Sequence, residues 1–233
     1  MRRERLTGTR LAGERGFTLL ELLVVVVMVG VMALVGFSLA RVARGKADEV
    51  ACMGNMRQIG VAMQLYANDT GAYPETAHTA SLENAWIYQL EDYLGDFDET
   101  RVCPADPNAA ERLAQKGTSY VLNSYVFVPT TDAFGNAVGE AMNRPALLED
   151  MTQTLLAFCC SDEVPAGPGN DHTHSARWTS WSAVTADIAP DRHMGKRSNY
   201  LYADGRVESR TAAEVRKKIE SGENIAVPVG YES

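Results

Sequence analysis

The sequence predicts an α+β fold in which one long N-terminal helix, half membrane-spanning and half amphipathic, packs on a small antiparallel β-sheet domain. Three observations predict it. Residues 22–40 are nineteen consecutive positions without a charge, close to the ~20 apolar residues a helix needs to cross a bilayer. Beyond them Cys52, Met56, Ile59, Met63 and Tyr66 recur at spacings of 4, 3, 4 and 3, which lays one apolar stripe along a helix. Near the C-terminus, Asp204-Gly205 separates two runs rich in Tyr and Val, the pattern of a tight hairpin turn.

The elements follow in order. Residues 1–16 form a basic stretch with five Arg and two Glu, a net charge of +3. Arginines ahead of an apolar run hold the N-terminus on the cytoplasmic side, so everything after Arg41 is expected to face outward. Residues 17–41 read as the membrane helix and 42–68 as its amphipathic continuation. The turn formers at 68–74, ending in Pro74, should stop the helix. One helix from Phe17 to about Ala67 would span roughly 75 Å at ~1.5 Å per residue.

Residues 69–233 read as one outer-face α+β domain. Ser81 is the expected cap of a short second helix carrying Leu82, Trp86, Leu90 and Leu94 on one face. Residues 119–128 and 154–160 have the β-branched and aromatic content of strands. Thr211-Ala-Ala-Glu214 is a capping box for a last helix ending near Gly222. Residues 129–144 and 163–192 read as surface loops, the second carrying Trp178 and Trp181, and residues 223–233 show no pattern.

The chain carries a charge of −8. Setting the +3 of residues 1–16 aside leaves −11 for residues 17–233. No basic surplus remains to displace counterions from phosphates, so no nucleic-acid partner is expected.

Gly16-Phe17-Thr18-Leu19-Leu20-Glu21 places one carboxylate at the mouth of the apolar run. An acid there is costly unless it is paired or interfacial, and so is a functional candidate. Basic leader, Gly-Phe junction, Thr and then Glu five residues past the Gly together resemble the processing site of a type IV prepilin or type II secretion pseudopilin. The resemblance implies that a prepilin peptidase cuts between Gly16 and Phe17 and methylates the Phe17 amine. It makes Glu21 the assembly carboxylate, neutralised by the Phe17 amine of a neighbouring subunit. It places the chain in the bacterial inner membrane as a single-pass protein, with other pilin or pseudopilin subunits, an inner-membrane assembly platform and the lipid bilayer as partners. Many pilins carry a Pro in the apolar run, and this chain has none there. Residues 52–69 with Tyr73-Pro74, Val102-Cys103-Pro104 and Ser119-Tyr120 are similar to recurring stretches of large prepilin-like families. An ordinary secretory signal fits poorly, since its apolar core carries no Glu at its start.

In an oxidising outer compartment disulfides persist. The four cysteines, Cys52, Cys103, Cys159 and Cys160, allow three pairings and sequence does not choose among them; Cys52 with Cys103 is the pairing preferred here. Adjacent Cys159 and Cys160 point to opposite faces of a strand, so one of them reads as an inert core residue. Metal ligation is the competing idea, but no Cys-x-x-Cys spacing exists and no metal is assigned. His193, separated from Asp204-Gly205 by ten intervening residues, is similar to a His, nine-residue spacer, Asp-Gly signature of prepilin-like families, with one residue added. The readings are a turn held by Asp204 and Gly205 with His193 satisfied nearby, or a metal-binding or recognition role for His193. Asp171, His172 and His174 lie in a loop, and no third ligand at helical spacing joins them. No cofactor is expected. Calcium is the exception the resemblance brings in, although Asp96, Asp98, Glu99, Asp187, Asp191 and Asp204 form no EF-hand-like run.

No nucleophile elbow, phosphate loop or zinc-protease helix occurs in the sequence, so no enzyme is expected. The expected function is a processed structural subunit of a type IV pilus or type II secretion pseudopilus. The alternative is a membrane-anchored outer-face binding module that does not polymerise, using the Trp178 and Trp181 loop.

Overall fold

A computed structural model describes residues 17–76, 82–129 and 139–231. Helix α1, Leu19–Thr70, runs 52 residues. The chain separates into two units, one ending at Val42 and one beginning at Ala43.

In the first unit every described residue is exposed. Its part of α1 is long and apolar enough to cross a membrane. The nineteen uncharged residues 22–40 cover about 28 Å at ~1.5 Å each, against a hydrocarbon core of about 30 Å.

The second unit has three layers. Its middle is a four-stranded antiparallel sheet in the order β1-β2-β3-β4, formed by β1 Tyr120–Leu122, β2 Leu155–Cys159, β3 Arg197–Tyr202 and β4 Val207–Thr211. On one face lies the C-terminal part of α1, where Cys52, Met56, Ile59 and Met63 pack with Leu122, Ala157, Cys159 and Leu201. The expected stripe is thus the seam between helix and sheet. Gly60 lies in that seam; a Cβ there would come within 2.8 Å of Leu201 Cδ1. The other face, through Val121, Phe158, Cys160 and Tyr200, meets Trp178, Val184, Val215 and Ile219. A register shift between Leu155 and Ala157 in β2 lets the adjacent Leu156 and Ala157 both join the α1 side. Covering both faces explains why β2 is apolar throughout rather than alternating.

Smaller helices close the ends. Helices α2 Phe97–Thr100 and α3 Ala109–Ala114 precede β1, and α4 Ser124–Phe127 follows it. Helix α5 is Trp181–Asp187 and α6 is Ala212–Glu220. The β3–β4 hairpin turns at Asp204-Gly205 as expected: Gly205 takes φ +83° and the Asp204 carboxylate accepts the Arg206 N–H at 3.0 Å. The Thr211–Glu214 capping box is present on both sides.

Three expectations need correction. The strand expected over 119–128 is cut short, because the Asn123 side chain accepts the Tyr125 N–H and caps α4; a local capping bond outcompetes β propensity. The short helix expected after Ser81 is instead two 3₁₀ turns, Leu82–Asn84 and Tyr88–Tyr93. Trp86, Leu90 and Leu94 are still buried, while Ser81 lies outside the described residues. The expected loop 163–192 contains α5, capped by the Ser180 hydroxyl. Most of the expected 129–144 loop lies outside the described residues.

Candidate functional site

At the start of α1 the expected assembly carboxylate has a local partner. The Thr18 N–H and hydroxyl both donate to Glu21 Oε2 at 2.9 Å, and the Glu21 N–H donates to Thr18 Oγ1 at 3.2 Å. This is a reciprocal capping box, Thr-x-x-Glu, that satisfies two N-terminal donors of the helix. Sequence reasoning missed it, although the spacing is the one that identified Thr211–Glu214. Phe17, one residue earlier, is 84% exposed. Gly16 lies outside the described residues. An acid that closes its own helix end while facing outward can be held at a bilayer boundary and still offer a charge to another group.

A second constellation lies inside the second unit. Cys52 comes from α1, Cys103 from the loop after α2, Cys159 from the end of β2, and His193 from the turn before β3. Their ligand atoms all lie within 4.8 Å of one another, and all four residues are buried. The Cys52 and Cys159 sulfurs are 3.7 Å apart, and Cys103 Sγ is 4.0 Å from His193 Nε2. All four cysteines of the chain are free thiols. The expected Cys52–Cys103 disulfide is therefore not formed here; the pair is part of a larger group that recruits Cys159. Cys160 faces the other side of the sheet, where its Sγ contacts the Thr118 carbonyl at 3.8 Å.

The thiols of the cluster shift one another in opposite directions. Hydrogen bonds from the Cys103 and Cys52 thiols, with His193 adding to them, hold the Cys159 thiol well below its ordinary value. Cys52 is pushed well up, chiefly by its hydrogen bonds to Cys103 and Cys159. Cys103 is pushed up mainly by its bond to Cys159.

His193 is placed by a narrow loop. Its N–H and carbonyl pair with Arg197 at 2.8 and 3.3 Å, and Gly195 and Lys196 take φ +75° and +53° to close it. Asp204-Gly205 sits at the opposite end of β3. Six residues at about 3.3 Å each put roughly 20 Å between those ends, so the His-spacer-Asp-Gly signature frames a strand and its residues do not meet in one site.

Several of the remaining candidates have structural partners. His172 Nδ1 lies 2.8 Å from Asp171 Oδ1, both buried. The His174 N–H donates to Asp187 Oδ2 at 2.7 Å, and the Trp178 indole N–H donates to the same oxygen at 2.8 Å. Trp178 is 3% exposed and packs edge-on against Phe158 at 5.5 Å. That removes Trp178 as a docking anchor; Trp181, the other residue of the expected loop feature, is half-buried against the same cluster. Asp98 pairs with the buried Arg101 at 2.7 Å.

Comparison with known proteins gives one finding. Residues 11–37 match the model of the prokaryotic N-terminal methylation motif, a span that includes Gly16, Phe17, Thr18 and Glu21. No curated protein and no solved structure matches the chain. With that motif running into a helix long and apolar enough to cross a membrane, the chain fits a type IV prepilin-like protein.

Proposed function

We propose that this chain is a structural subunit made as a prepilin, cut between Gly16 and Phe17 by a prepilin peptidase, methylated at Phe17, and assembled into a type IV pilus or type II secretion pseudopilus. Before assembly it is held in the inner membrane with its C-terminal unit on the outer side. The observation that carries this reading is Glu21: a carboxylate at the entrance of a nineteen-residue uncharged run whose side chains are all exposed.

The physical account is a change of environment. In the membrane the carboxylate closes its own helix end through Thr18. Packing such helices side by side in a filament would strip water and headgroups from it. An unpaired charge there is heavily penalised, whereas a neighbour's Phe17 amine offsets the penalty. Cleavage creates that amine, so processing licenses assembly. The exposed apolar surface of residues 22–40 then supplies the helix–helix contact area, and Gly30 and Gly36, with open space around each, allow close approach.

The test is Glu21→Val. It should still be cut and remain in the membrane, yet be missing from sheared filaments or from cross-linked pseudopilus oligomers. Incorporation at the wild-type level would remove Glu21 from the mechanism.

A further inference from the structure

We propose that Cys52, Cys103, Cys159 and His193 form a closed zinc site that fastens α1 to the sheet. The donor set is three sulfurs and one imidazole, a combination typical of structural zinc. The distances suit it. At a Zn–S length of about 2.3 Å, tetrahedral sulfurs lie about 3.8 Å apart, and the Cys52 and Cys159 sulfurs are 3.7 Å apart. Cys103 Sγ and His193 Nε2, at 4.0 Å, need to close by only a few tenths of an ångström.

The surroundings favour an ion over a disulfide. Three thiols converge, so a disulfide would strand the third beside a buried imidazole. The ring itself calls for an occupant. His193 is 5% exposed and its Nδ1 has no hydrogen-bond partner; its Nε2, facing the thiols, has only a 3.4 Å contact from the Asn199 amide besides sulfur. Buried polar groups are nearly always satisfied; a metal would take the Nε2 lone pair that faces the thiols, while Nδ1 keeps no partner.

The sulfurs are supported as ligands would be. The Ala105 N–H hydrogen-bonds Cys103, and the Tyr120 hydroxyl donates to Cys52 Sγ at 3.8 Å. Three thiolates and one zinc ion leave a net charge of −1, and the neighbouring Arg192 guanidinium interacts with Cys159 to offset it. Thiol protons displaced on binding pass to solvent.

Four protein donors leave no open position for water, so the site is structural rather than catalytic. It ties together four segments that are far apart in sequence, with α1 as one of them. If the chain assembles as proposed above, the folded unit must stay fixed to α1, and a metal clip at Cys52 does this.

The experiment is metal analysis of the full-length chain purified in detergent, alongside intact mass after thiol alkylation. Wild type and Cys160→Ser should each carry about one zinc ion per chain, and Cys159→Ser should lose it. Because losing Cys159 can also unfold the unit, the wild-type chain is also stripped with chelator and refilled with cobalt(II). It should then show thiolate-to-metal charge transfer and the intense bands of tetrahedral coordination, and refilling with zinc should restore the thermal midpoint that chelation lowers. A metal-free chain with reduced thiols, a disulfide between any two of Cys52, Cys103 and Cys159, or stoichiometric binding of a different metal would overturn the assignment.

Discussion

The two parts of α1 share one backbone conformation and little else. From residue 19 to 42 every side chain is exposed and apolar residues occur all round; from 43 to 70 the face carrying Cys52, Met56, Ile59 and Met63 is buried under the sheet, while Val50, Val61 and Leu65 stay exposed. The first part cannot owe its helix to packing within the chain. A helix in hydrocarbon satisfies all its backbone groups internally, so in the proposed membrane setting the solvent itself would be the stabilising partner. The second part is stabilised as in any soluble protein, by burying a stripe. The difference teaches that exposure means opposite things in the two parts. Exposed Leu and Val at 22–40 are left free for contacts outside the folded unit, the surface on which the proposed assembly rests, while Cys52, Met56, Ile59 and Met63 are used up in the fold.

The largest effect expected from breaking this contrast is at Glu21. Glu21→Gln keeps a residue able to close the Thr18 box while removing the charge, whereas Glu21→Val removes both. If the charge carries assembly, both variants fail to enter filaments and both remain processed. Filament entry by Glu21→Gln alone would show that helix capping, not ion pairing, is what matters.

Methionine gives a matched pair. Met56→Ala empties a fully buried site and should destabilise the second unit by about 2–5 kcal/mol. Met28→Ala, at an exposed position, should leave denaturant unfolding of that unit within about 0.5 kcal/mol of wild type. Equal effects from the two would contradict the division.

Glycine gives a smaller pair. Gly60→Ala brings a Cβ within 2.8 Å of Leu201 Cδ1 and should cost about 1–3 kcal/mol from overpacking, less about 1 kcal/mol gained in helix propensity. Gly30→Ala meets nothing within 4 Å and should leave unfolding of the second unit unchanged. Chemical denaturation followed by tryptophan fluorescence reads both, since all three Trp lie in the second unit.

Local signals were legible. The Met/Ile stripe, the Asp204-Gly205 turn and the Thr211–Glu214 box each depend on residues within a turn or two of one another, and the structure forms all three. The Thr18–Glu21 box has the same spacing and is readable by the same rule. What was not legible depends on long-range convergence. Cys52, Cys103, Cys159 and His193 are separated by 51, 56 and 34 positions, so no spacing motif exists, and only the fold brings them together. Asn123 could cap a helix or sit in a strand, and only the pairing of β1 decides between these. Trp178 looked like a loop anchor because the sequence does not say that α5 folds back over β2.

The most direct test of the central claim is the mass of the N-terminus of protein taken from native membranes. The account predicts a chain that begins at Phe17 and bears a methyl group on its terminal amine. Protein that still carries residues 1–16 would have no free Phe17 amine to meet Glu21, and the account of assembly would be wrong.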